Sequence, residues 1–251
     1  MKINTDSNIY TLFYAIALVV VVAVGLTYTA LSLQPLQEQN IKVEKMQNIL
    51  QTILPADQIT VENAEELYEK HIVEVFAVNA AGEKIVEGQT KKERKKVFEL
   101  ELKPQIKKEI KERTLPVYIA KMDDGSKKAI FPLQGKGLWG PIWGYLSLNE
   151  DYNTIYGAVF DHKGETPGLG AEINKTKFEN QFKGKTIFEG KKLVSITVHK
   201  GGEGAALRAG NKEHGIDAIS GGTITSKGLE GMVKNDWFFG FEQFLQKQRS
   251  E

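Results

Sequence analysis

Asp217-Ala218-Ile219-Ser220-Gly221-Gly222-Thr223-Ile224-Thr225-Ser226 packs two glycines and four hydroxyl side chains into the seven residues from Ser220 on, and an apolar-periodic segment follows. Glycine lets backbone approach a ligand closely, and hydroxyls donate hydrogen bonds. A helix beginning here would aim unpaired N–H groups and its positive dipole end at an anion. The pattern suits a phosphate. The same residues would also serve as a Gly-Ser loop that caps a helix.

Working back along the chain, Gly164-Glu165-Thr166-Pro167-Gly168-Leu169-Gly170-Ala171 is a second unusual run. Pro167 fixes one dihedral, and Gly168 and Gly170 permit positive φ, so a tight loop presenting backbone N–H groups is expected. Further upstream lies Gly135-Lys136-Gly137-Leu138-Trp139-Gly140-Pro141-Ile142-Trp143-Gly144. The aromatic face of Trp139 suits a planar π system; as core residues, Trp139 and Trp143 would need no ligand at all.

Taken together, these runs resemble those of a known family. Asp217–Thr223 is similar to the Asp-x-x-Ser-Gly-Ala-Thr signature of proteins that carry FMN as a phosphoester on a threonine, and Glu165–Gly170 and the Gly-Trp segment occur in the same proteins. The chain resembles the C-subunits of sodium-translocating NADH:quinone oxidoreductases, and its aromatic tail Trp237–Leu245 extends the likeness. The resemblance implies covalent FMN on Thr223, with Thr225 as the alternative position. It places Ser220, Gly221, Gly222 and Thr225 around the phosphate, and Glu165, Thr166, Gly168, Leu169, Gly170 and Trp139 around the flavin. Gly222 stands where the family usually has alanine, a change expected only to loosen the loop. No catalytic acid or base and no metal site are expected. The resemblance further implies an electron carrier within a sodium-pumping NADH:quinone reductase of the bacterial inner membrane, with its soluble domain in the periplasm. Its partners would be the other membrane subunits, a flavin transferase and the lipid bilayer. Two alternatives stay open: a protein like the G-subunit of a ferredoxin-linked electron-transport complex, and a membrane-tethered module that binds a phosphate ligand without redox chemistry.

Composition is compatible with this. The chain has 251 residues, a formal net charge of +1 and no cysteine, which leaves no disulfide and no thiolate-held iron–sulfur cluster. There is no charge imbalance that would suggest nucleic acid. The four histidines, His71, His162, His199 and His214, are not spaced as ligands on one helix. No Walker sequence, Gly-x-Ser-x-Gly elbow or Rossmann fingerprint occurs, so NADH has no recognisable site here. Ile9 to Leu33 contains no charged residue. As a helix it would span about 37 Å, enough for a hydrocarbon core of about 30 Å. The run exceeds the apolar core of a signal peptide and shows no clear cleavage site. Lys2 precedes it and Lys42 and Lys45 follow, so the positive-inside count is nearly a draw.

These signals predict an α+β chain in which a single N-terminal transmembrane helix precedes an FMN-binding domain with an antiparallel-rich sheet and flanking helices. A short leader spans 1–8, the anchor 9–33, a helical stalk 34–55 and the domain 56–251. The stalk shows apolar residues at Met46, Ile49, Leu50, Ile53 and Leu54, one helical face ended by Pro55. A short helix is expected over 61–69. Strands are expected at 72–78, 117–122, 128–133, 142–148, 154–160 and 193–199, with Asp123-Asp124-Gly125 as a hairpin turn. Helices are expected at 172–182 and from 225 to about 248, the latter broken near Gly240. Residues 91–113 carry ten Lys/Arg against five Asp/Glu. A solvated, poorly ordered excursion is expected there rather than a patch for anionic lipid or an acidic partner.

Overall fold

A computed structural model describes residues 7–236 and 238–250. Most of the leader expected at 1–8 lies outside the described residues, as do Trp237 and Glu251. The chain divides into two compact units, Met1–Lys45 and Met46–Glu251. A single helix, α1 (Asn8–Gln51), contains both the expected anchor and most of the expected stalk. Its large apolar side chains from Ile9 to Leu33 are exposed, and it is long and apolar enough to cross a membrane.

The second unit begins with the end of α1 and continues with α2 (Ala64–His71) and β1 (Ile72–Val78). Next come β2 (Lys84–Val86), α3 (Lys91–Phe98) and α4 (Leu102–Ile106). Four long strands form its heart: β3 (Leu115–Lys121), β4 (Lys127–Lys136), β5 (Pro141–Leu148) and β6 (Ile155–His162). Short elements follow: α5 (Thr176–Glu179), β7 (Phe188–Glu189), β8 (Lys192–Leu193), β9 (Thr197–His199), α6 (Ala205–Arg208) and β10 (Gly215–Asp217). The chain closes with α7 (Thr223–Gly231) and α8 (Glu242–Ser250), joined by a π-helical turn over Met232–Asp236 and a 3-10 turn over Phe238–Phe241.

Six strands form one antiparallel sheet in the order β2-β1-β3-β4-β5-β6. Alternation sends Ala129, Phe131 and Leu133 of β4 and Leu146 and Leu148 of β5 into the main core. The aromatic tail covers them. Phe131 lies edge-on to Phe241 at 4.9 Å and to Phe238 at 5.7 Å between ring centroids, and Phe76 meets Phe244 at 5.8 Å. Each such pair adds about 0.5–1.5 kcal/mol beyond the burial itself. The opposite face takes the last turns of α1. Ile49 and Leu50 are fully buried, and Ser147 Oγ donates to the Thr52 carbonyl at 2.8 Å. Pro132 has no N–H to offer a ladder, and it falls just beyond the last β3–β4 pair, Tyr118↔Ile130. From there β4 keeps only β5 as a neighbour, through to Lys136↔Pro141.

The strands expected at 72–78, 117–122, 128–133, 142–148 and 154–160 all form, with ends shifted by a few residues. Other expectations need correction. Residues 91–113 are not a poorly ordered excursion. Thr90 and Glu93 form a reciprocal capping box that starts α3, and Val97 and Phe98 are buried, the latter edge-on to Tyr68 at 5.6 Å. Arg94 Nη2 donates to the Ile72 carbonyl at 2.6 Å. The segment expected as one helix at 172–182 is a 3-10 turn (Gly170–Asn174) and then α5, interrupted by extended backbone at Lys175. The strand expected at 193–199 is split into β8 and β9, with Ser195 at φ +57° between them. Its buried hydroxyl donates to the Val233 carbonyl at 2.7 Å, a long-range tie that holds this backbone conformation.

Candidate functional site

The site lies where three segments meet: the β4–β5 loop, the loop after β6, and the start of α7. The β4–β5 loop is Gly137–Gly140, closed by Gly137 N–H on the Gly140 carbonyl at 2.8 Å. It holds Leu138 and Trp139 outward, and Trp139 is 70% exposed. Trp143, by contrast, sits within β5 and is half-buried. The helix α7 lies flush against this hairpin, because Gly228 approaches the Lys136 carbonyl so closely that a Cβ would collide with it.

Glu165 joins the three segments. It is 4% exposed. Its Oε1 accepts the Trp139 N–H at 2.8 Å, and its Oε2 accepts the Thr225 hydroxyl at 2.5 Å. The Glu165 N–H in turn donates to His162 Nδ1 at 3.2 Å. The carboxyl fits only because its neighbours are glycines. A Cβ on Gly137 would stand 2.5 Å from Oε1, and one on Gly170 would stand 2.5 Å from Oε2. Gly168 has positive φ (+75°) and open space around it, as a turn glycine should. Gly170 does not have positive φ; it is glycine because the packing leaves no room.

The phosphate-suited run divides into residues that face inward and residues that do not. Thr225 and Ser226 are buried, and neither caps α7, since no side chain caps that helix. Thr225 is committed to Glu165. Ser226 Oγ donates to the Gly222 carbonyl at 2.9 Å and accepts the Ile219 N–H at 3.1 Å. Thr223 is partly exposed, and its hydroxyl makes no hydrogen bond among the described residues. The amides of the first turn of α7 have no intrahelical partner. Ser220, Gly221 and Thr166 are exposed beside these elements. Leu169 (41% exposed) and Ile224 (63%) add apolar surface. Leu169 rests on the glycine pair, its Cδ2 lying 2.5 Å from where a Cβ on Gly221 would be. Gly222, at the position where the family usually has alanine, is buried, and a Cβ there would come within 2.9 Å of the Leu169 carbonyl oxygen.

Asp217, the first residue of the run, is a structural anchor. Its two carboxylate oxygens accept the Gly204 N–H at 2.5 Å and the Ala206 N–H at 2.8 Å, while its own N–H donates to Gln181 Oε1 at 2.8 Å. Sequence reading missed the Glu165–Thr225 bond, whose partners lie 60 residues apart, and it missed the exposure of Ile224. No local pattern signals either.

A second, partly buried acidic group lies at the end of α5. Glu179 of α5 accepts the Phe160 N–H at 2.8 Å, closing off the outer edge of β6. Burial pushes its carboxyl up to about 7, with nearby Asp161 adding to the effect and the Phe160 bond opposing it. Between the ordinary value of 4.5 and about 7, the unfolded chain sheds this proton while the folded chain keeps it. Glu179 therefore lowers stability as pH rises through that window, with the loss complete above it. Glu179→Gln, which keeps an acceptor for Phe160, is expected to be more stable than the parent at pH 8 by about 1–2 kcal/mol after allowance for the exposed part of the carboxyl. The gain should vanish near pH 4. Denaturant unfolding at several pH values measures it, and a gain equal at pH 4 and pH 8 would rule out titration of Glu179 as the cause.

Residues 137–236, which run from the Trp139 loop through α7, match the FMN-binding domain family. The whole chain has relatives too. It is 31% identical to the Na(+)-translocating NADH-quinone reductase C-subunit of Haemophilus ducreyi, over 98% of this chain and 96% of that one. It is 32% identical to the protein of the same name from Vibrio anguillarum, over 99% and 98%. Among solved structures, that of the Na(+)-translocating NADH-quinone reductase C-subunit from Parabacteroides distasonis superposes with a TM-score of 0.71 at 41% identity, over 85% of this chain and 96% of the other. The chain belongs to the family of the C-subunits of Na(+)-translocating NADH-quinone reductases.

Proposed function

We propose that this chain is a membrane-anchored electron carrier with FMN joined through its phosphate to Thr223. The observation that carries the reading is the contrast between two threonines two residues apart. Thr225 is 1% exposed with its hydroxyl bound to Glu165, whereas Thr223 stands partly exposed at the open end of α7. An ester needs a hydroxyl that a transferase can reach. The phosphate would meet Ser220, Gly221, Gly222 and the first-turn amides, where the helix dipole favours negative charge. Trp139 and Leu169 offer exposed apolar surface to a planar ring. Thr166, Gly168 and Gly170 shape the loop on which Leu169 stands, with Glu165 beneath it. When bound, the flavin supplies the redox chemistry; the protein holds it and tunes its surroundings.

In this reading α1 spans the inner membrane and the domain from Gln34 onward faces the periplasm, where a flavin transferase loads it. The redox partners are other subunits of a sodium-pumping NADH:quinone reductase. The covalent link keeps the cofactor in a compartment with little free flavin. Protein co-produced with the transferase should fluoresce in a denaturing gel under ultraviolet light and should gain the mass of FMN less one water. A dark band and unchanged mass would overturn the covalent reading. A reporter fused at Glu251 that was active only in the cytoplasm would overturn the orientation.

A further inference from the structure

We propose that Glu165 is a positioning residue. It holds the Trp139 loop in register with the helix that presents Thr223, so that one buried carboxyl sets both sides of the site. The inference rests on the flavin reading only for what the two sides receive; the linkage itself is a property of the protein alone.

The geometry carries it. Both carboxyl oxygens are engaged by donors from different segments, the Trp139 N–H at 2.8 Å and the Thr225 hydroxyl at 2.5 Å. The β4 end also packs against this region through the close approach of Gly228 to the Lys136 carbonyl and of Met232 to Gly135, but neither contact reaches the Trp139 N–H or the Thr225 hydroxyl. The glycines at 137 and 170 press on the two oxygens, so the carboxyl has no alternative seat. A carboxyl so enclosed cannot turn outward to meet a ligand without giving up both bonds. Its influence must pass through Trp139 and Thr225. Thr225 lies in the first turn of α7, two residues after Thr223, so a shift of the hydroxyl it donates moves the helix start that carries the attachment residue. Removing one donor also leaves a buried acceptor unpaired, which the loop would relieve by moving.

The test uses the full chain in detergent, labelled with 5-fluorotryptophan, with the Trp139 resonance assigned by Trp139→Phe. Thr225→Val keeps the shape of threonine and removes the donor; Thr225→Ser keeps the donor. We expect the Trp139 fluorine resonance to shift in Thr225→Val and to stay at its parental position in Thr225→Ser. In flavin-loaded protein, the valine variant should also show a shifted visible absorption band and midpoint potential, and the serine variant neither. If the valine protein does not fold, Thr225→Ala, which only deletes atoms, takes its place with the same expectation. An unmoved Trp139 resonance in the variant lacking the hydroxyl would overturn the proposal, even if its melting temperature fell, because lost packing alone lowers stability without moving the loop. Should the parent protein carry no covalent flavin, the flavin reading falls separately, and the fluorine measurement still decides this one.

Discussion

Thr223→Ala is expected to abolish covalent flavin, with the band dark in a denaturing gel and the intact mass that of the bare polypeptide. The hydroxyl is the only atom that an ester at this position can use, and no protein group among the described residues engages it. The protein should otherwise stay folded, because Thr223 is partly exposed at a helix start that no side chain caps. Thr225→Ala should behave in the opposite way. Flavin should still be loaded, but the Glu165 Oε2 atom loses its donor in a buried place, at a cost of about 1–3 kcal/mol in stability. Peptide mass mapping of the parent protein should find the flavin on the fragment containing Thr223. Fluorescence retained in Thr223→Ala, or a flavin mapped to Thr225, would move the attachment site.

The second large effect is expected at Gly170. A Cβ there meets Glu165 Oε2 at 2.5 Å and Thr225 Cβ at 3.1 Å, and both side chains are buried and bonded to each other. Neither can yield without breaking the link between the loop and α7. Gly170→Val should therefore cost about 3 kcal/mol and impair flavin loading, because beyond breaking that bond the added branch displaces the loop whose Leu169 packs on Gly221 and Gly222. Gly168→Ala makes an informative contrast. It is strained by positive φ but faces open space, so it should cost only about 1–2 kcal/mol and leave loading intact. Thermal melts read the stability, and in-gel fluorescence reads the loading. Equal loading in the Gly170→Val and parent proteins would show that the enclosure of Glu165 does not matter to the site.

Much of the fold was legible because its signals are local. The central strands β3 to β6 are largely apolar runs of seven to ten residues, and β3 and β4 flank the turn Asp123-Asp124-Gly125; those features report on a few neighbours only. What was illegible depended on distant partners. Residues 91–113 look like a solvated charge run, yet Val97 and Phe98 pack inward. Residues 172–182 carry helical periodicity, but Gly170–Asn174 closes as a 3-10 turn beneath the α7 start. The split of residues 193–199 follows from a bond between Ser195 and Val233 that no window around Ser195 contains.

The same division runs through the site. By itself the sequence determined that an uncharged helix precedes a mixed domain, that three glycine-rich runs exist, and that threonine hydroxyls stand at a helix start. Each of these is a matter of residue type and near spacing. The resemblance put the flavin on Thr223 and kept Thr225 as the alternative position, because both are threonines beside the same glycines. Only the tertiary structure shows how differently the two hydroxyls are placed. It buried one hydroxyl against Glu165 and left the other at the open end of α7. Its physical reason is packing across long sequence separation: Gly137, Gly170 and Gly228 let three segments close around one carboxyl, and that enclosure exists only when all three are folded together.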